Sequence, residues 1–164
     1  MGMVALFWEV TPTRLERFRE DGEANFIWDF EGESLGTEDG ALSTVGLDKS
    51  WWAIHFVLTG TTEEFDGPLG WVLGGEPVGD DQGYGPARVF EPGEVGAIAD
   101  VLRPLDSDAF AVRIDTAALR ANDVYPGVWE DEDDHEYVMT YYTVLRDWVL
   151  GVAARGNGVV TIVG

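Results

Sequence analysis

VMTYYTVLRDWVLGVAARGNGVVTIV (Val138–Val163) decides the fold. Val138, Tyr141, Tyr142, Leu145, Trp148, Val149 and Val152 recur at helical spacing, the signature of a helix with one apolar stripe. Six acids and His135 in Glu130–Glu136 precede the stripe, where negative charge complements the helix dipole. Arg155 and Gly156 close the helix, and Val159–Val163 then reads as a strand.

At the other end, Gly2–Val10 (GMVALFWEV) also reads as a buried strand, bounded by Thr11-Pro12. Thr11 can cap a helix that has Pro12 in its first position and stops at Gly22. Asn25–Phe30 is ambiguous between strand and helix, and Gly32–Gly46 reads as loop. Lys49–Leu58 reads as a helix capped by Asp48 and ended by Gly60, apolar on most sides. A short strand is expected at Leu69–Leu73, a loop at Gly74–Pro86 and a strand at Ala87–Phe90. Pro92 opens a helix that Arg103-Pro104 ends, and helical turns are expected within Asp106–Arg113 and Asp115–Ala121. Strands at both ends with helices between predict one α+β domain over residues 1–164. Its small mixed sheet includes the N- and C-terminal strands and is packed by several helices, the last of them long.

The 164 residues are 45% hydrophobic, enough for a sizeable core. No apolar run approaches the roughly 20 residues that span a bilayer. The start lacks the basic stretch of a signal peptide, so the cytoplasm is the expected compartment. Cysteine is absent, which excludes disulfides and thiolate chemistry. The formal net charge of -21 repels phosphate backbones and anionic lipids, so neither nucleic acid nor membrane is an expected partner. Nine of the ten basic residues are arginine, and Lys49 is the one lysine. Genomic base composition or a salt-adapted surface explains that bias without invoking function.

Several motifs dissolve on inspection. Gly32-Glu33-Ser34-Leu35-Gly36 matches a nucleophile elbow, but no helical stripe follows it. Gly46-Leu47-Asp48-Lys49-Ser50 has the outline of a phosphate loop, but Asp48 stands where glycine is required. The acids around His135 lack the spacing of a calcium or zinc site, so no metal or other cofactor is expected. His55, on the tryptophan-rich helix with Trp52, reads first as a hydrogen-bonded core residue and second as a base. Gly74–Phe90 (GGEPVGDDQGYGPARVF) is the better candidate. Its glycines let backbone N–H groups approach a ligand, and Arg88 can hold a carboxylate or phosphate with two donors. The structural alternative is that Arg88 only clamps its own loop through Asp80 or Asp81.

Three segments, LDKSWWAIHFVLTG (Leu47–Gly60), LGGEPVGDDQGYGPARVFEPGEV (Leu73–Val95) and VYPGVW (Val124–Trp129), resemble the YfbM-like bacterial family, a domain of unknown function. The Met-Gly-Met start, the long last helix and the closing GNGVVTIV resemble it too. The resemblance runs nearly the whole chain and implies a compact, soluble, single-domain α+β protein with Asn25–Phe30 helical. It implies no reaction. The chain departs from the family pattern at Trp52, where histidine is common.

Two function classes follow. One is a non-catalytic acidic interaction module whose partner is a protein, such as a basic toxin to be neutralised. The other is a small-molecule binder or enzyme with a cleft between the Lys49–Leu58 helix and the Gly74–Arg88 loop. Its candidate residues are Lys49, Trp52, His55, Glu76, Asp80, Asp81, Tyr84, Arg88, Tyr125 and Trp129. Tyr84 is expected to pack against the tryptophan-rich helix. Arg88 is expected to reach an acid of its own loop or one near Tyr125–Trp129. Independently of either class, 31 acids against 10 strong bases make self-repulsion large. Screening it with moderate sodium chloride is expected to raise the thermal midpoint; a midpoint that falls on the same titration contradicts this.

Overall fold

The two terminal strands lie side by side. In the computed structural model, which describes residues 2–21, 42–81 and 83–164, β1 (Ala5–Val10) pairs antiparallel with β5 (Gly158–Val163), Ala5 opposite Val163 and Val10 opposite Gly158. β2 (Ser43–Gly46) extends the sheet beyond β1, and β4 (Ala87–Phe90) and β3 (Glu76–Val78) extend it beyond β5. The strand order is β2-β1-β5-β4-β3, so β5 sits at the centre and is buried on both faces. Its near-continuous apolar run follows from that position.

Side-chain alternation splits the core in two. Ala5, Phe7 and Val159 face a layer built from α2 (Trp51–Thr59), α3 (Pro92–Leu102) and α6 (Glu132–Ala154). Trp8, Val10, Val89, Val160 and Ile162 face the opposite way, against Leu15 and Phe18 of α1 (Pro12–Asp21). Two short helices, α4 (Ser107–Ala111) and α5 (Thr116–Ala121), are capped by Asp106 and Asp115. α6 docks on α4 through Tyr142, whose ring stacks on Phe110 at 3.6 Å and whose hydroxyl donates to Leu105 O. The acids before α6 form its cap: Asp131 accepts N–H groups from Asp133 and Asp134, and Asp134 returns the bond. Among the described residues, no helix is long and apolar enough to cross a membrane.

Four readings need correction. Every pairing is antiparallel, so the sheet is not mixed. Leu69–Leu73 is not a strand: Pro68–Gly70 is a turn of 3-10 helix, with Gly67 at φ 100°. A Cβ on Gly70 would lie 2.1 Å from Phe65 O, so the chain folds back there only because Gly70 has none. α2 begins at Trp51 rather than Lys49, because Asp48 takes a φ of 44° and Ser50 turns its hydroxyl to Leu47 O. β2 and β3 lie in stretches expected to be loop; they are short edge strands whose mostly exposed or half-exposed residues carry little apolar signal. Asn25–Phe30 and the Gly32–Gly36 motif lie outside the described residues.

Glu9 is a carboxylate in the middle of an otherwise apolar strand, and it is 1% exposed. Arg155 donates to both of its oxygens, at 2.6 and 2.9 Å, and Asn157 donates to Oε1 at 2.8 Å. Ser43 donates to Oε2 and in turn accepts Trp148 Nε1–H at 2.9 Å. Burial pushes the carboxyl pKa up, but the bonds from Arg155, Ser43 and Asn157 and the Arg155 charge outweigh it, leaving the pKa below its ordinary value. The stabilisation is therefore complete above the ordinary carboxylate pKa and lost as pH falls through the lower, folded value. An amide in either orientation would turn its NH2 toward two donors. Glu9→Gln is accordingly expected to cost about 2–3 kcal/mol, less than a fully buried pair because Arg155 is half exposed. Urea unfolding measures this, and a loss below about 0.5 kcal/mol, within the range of an ordinary surface change, contradicts it.

Candidate functional site

α2 carries two adjacent indoles that stack almost parallel, 4° apart with centroids 5.7 Å from each other. Each is fixed by its own bond: Trp51 Nε1 donates to Met3 O and Trp52 Nε1 to Thr62 O. These rings form one wall of a cleft of about 310 Å³. Tyr84 and Pro86 of the glycine-rich loop line the same cleft, with Val72 and Leu73. Thr161 of β5 and Arg88 of β4, which are register partners, lie at its base.

Arg88 and Glu64 close one side. Arg88 Nη2 donates to Glu64 Oε1 at 2.9 Å, and Nη1 to Gly75 O at 3.3 Å. Gly75 sits at φ 98°, and a Cβ there would meet the Phe90 ring at 3.0 Å and Arg88 Cβ at 3.1 Å. Beyond the ion pair lies a second cavity of about 360 Å³, lined by Phe65, Trp71, Phe90 and Glu94 among others. Glu64 and Arg88 line both cavities, so the pair is the partition between them.

The ten sequence candidates do not share one pocket. Trp52, Tyr84 and Arg88 meet at the cleft. Tyr84 stands at its rim, 62% exposed, rather than packed on α2. The acid that Arg88 reaches is Glu64, from the turn after α2, and belongs to neither expected segment. Asp81 instead ties its own loop, accepting N–H groups from Gly83 at 2.7 Å and Gly85 at 3.1 Å, which lowers its pKa. Asp80 is exposed. Glu76 pairs with Arg19 of α1, which also holds Glu91.

Lys49 and Trp129 line a separate cavity of about 300 Å³ with Tyr137. Lys49 is exposed, it precedes α2 rather than opening it, and among the described residues no carboxylate pairs with it. Trp129 is 1% exposed and donates to Val124 O, a core role. Tyr125 lies between these regions, its ring 6.2 Å from that of Trp51. Sequence reasoning missed Thr161 and Glu64. The alternation of β5 places Thr161 on the helix-layer face; nothing local marks Glu64. Among the described residues, no group of three or more histidines and acids is placed to hold a metal.

An acidic, tryptophan-rich α+β domain with a cleft against its helical layer is what the geometry defines, and comparison with known proteins gives it a family. The model of a domain of unknown function, DUF1877, matches residues 1–162, and the chain belongs to that family. Protein YfbM of Escherichia coli strain K12 is 28% identical over 137 residues, covering 81% of this chain and 78% of that protein. The crystal structure of YfbM, described as a protein of unknown function, shares the fold with a TM-score of 0.70 at 22% identity, covering 98% of this chain and 99% of that one.

His55 ties α2 to the turn that carries Glu64. It is fully buried, and its Nε2 lies 2.8 Å from Glu63 O, so Nε2 carries the proton. Nδ1 has no partner among the described residues. Burial lowers the imidazole pKa more than the Glu63 bond raises it, because a protonated Nδ1 would be an unpaired buried donor. A lowered folded pKa means that the unfolded chain binds more protons just below the ordinary value, so stability falls as pH drops through about 6.5. His55→Gln keeps a donor for Glu63 O and is expected to lessen that fall between about pH 7 and pH 5. Parallel denaturation curves for both proteins with equal pH slopes contradict this.

Proposed function

We propose that the chain is a small-molecule-binding domain whose ligand lies between α2 and the Gly74–Arg88 loop. The observation that carries this reading is the pairing of a fixed indole stack with an exposed tyrosine in a cleft that has one cation at its base. An apolar cleft with a few convergent polar groups is the ordinary form of a ligand site. Stacked aromatic walls suit a planar or apolar ligand body. Binding fits better than catalysis: Thr161 Oγ1 already donates to Leu6 O, and His55 is fully buried, so neither is placed as nucleophile or base.

A second reading, the acidic module that holds a basic protein, rests on the net charge of -21. One experiment separates them. Small molecules and proteins retained from a cell extract are compared for wild type and a Trp52→Ala/Tyr84→Ala double variant, with circular dichroism confirming the fold. The ligand reading expects a small molecule that the double variant loses. Retention of only a basic protein, unchanged in the variant and released by salt, contradicts it.

A further inference from the structure

We infer that Glu64 occupies the Arg88 guanidinium in place of a ligand carboxylate, and that the cleft takes small monocarboxylic acids with an aromatic or apolar body. This rests on the cleft being a ligand site. Three observations point to it. The Arg88 side chain is only 30% exposed, yet the acid that holds it is 74% exposed and belongs to a turn outside the strand. An ion pair with so exposed a partner contributes little, so another carboxylate can replace it without a large penalty. Arg88 presents a planar fork that matches any carboxylate, and its second branch stays anchored on Gly75 O.

The pair is also the partition between the two cavities. Turning Glu64 into solvent joins them. Trp71, 1% exposed, lines the far cavity, and its Nε1–H has no acceptor among the described residues. Trp71 Nε1–H is therefore an uncommitted donor in the far cavity, and it selects an acceptor on the ligand. Of the acids that line the far cavity, Glu94 Oε2 accepts the Glu91 N–H, Glu64 holds Arg88 and Asp66 is exposed. The acidic surface does not forbid an anion. Its field is screened within about 8 Å at physiological salt, and exchanging one carboxylate for another leaves the charge beside Arg88 unchanged.

Three probes on one indole scaffold test the inference: indole-3-acetate, its neutral amide and the cationic tryptamine. Dissociation constants are measured by ligand-observed NMR on wild type, Glu64→Ala, Arg88→Met and Trp52→Ala, all checked by circular dichroism. Wild type is expected to prefer the acetate. Glu64→Ala should bind the acetate about two- to fivefold tighter and leave the amide unchanged. Arg88→Met should bring the acetate down to the level of the amide. Acetate affinity unchanged or weakened in Glu64→Ala, or a preference for tryptamine, overturns the inference. If the amide binds wild type and is lost in Trp52→Ala while Glu64→Ala gains nothing, the cleft stands and the carboxylate inference falls. If none of the three binds, both fall.

Discussion

Glu9 is the constraint on which the rest depends. A carboxylate in a buried strand is tolerable only when its lone pairs are filled by donors, and here three donor residues come from two distant segments. Arg155 follows the last turn of α6, Asn157 precedes β5, and Ser43 begins β2. Satisfying one charge therefore fixes where the long helix ends, where the central strand begins and where the edge strand attaches. The same demand sets the β1–β5 register, since Glu9 lies opposite Val159 immediately after the Arg155–Gly158 turn.

The cleft inherits that register. β5 sets β4, and the β4–β5 pairing puts Arg88 opposite Thr161 on the face toward the helical layer. Ala87 and Val89 alternate to the other face, against α1. A one-residue slip would turn Arg88 away from the cleft and bury it in an apolar layer. α2 is anchored separately, by Trp51 to Met3 O and by the His55 and Trp52 bonds to the turn that carries Glu64. The two walls thus belong to different parts of the fold and meet at the Arg88–Glu64 contact. That arrangement suits a site that opens without unfolding either wall.

What was legible in the sequence follows from how local each signal is. α6 and β5 were readable because a stripe of apolar residues, an acidic first turn and a closing glycine all sit within one segment. The Arg88 loop stood out because its glycines and its lone cation are adjacent, but the acid that Arg88 reaches was misplaced. Glu64 was not, since a carboxylate in an acid-rich turn differs in no local respect from many others. Glu9 passed unremarked within a run read as a buried strand, and its meaning lies 146 residues away in Arg155. The start of α2 was misplaced because Asp48 is a common cap residue, whereas here its φ of 44° puts it in the turn before the helix.

The central claim is that the buried Glu9 carboxylate holds the sheet register that shapes the cleft, and hydrogen–deuterium exchange of Glu9→Gln against wild type tests it most directly. Exchange should quicken in β5, in the Arg88 strand and in the last turn of α6, while α4 and α5 keep their protection. Exchange that rises evenly over the whole molecule, or stays unchanged in β5 and β4, would contradict the account.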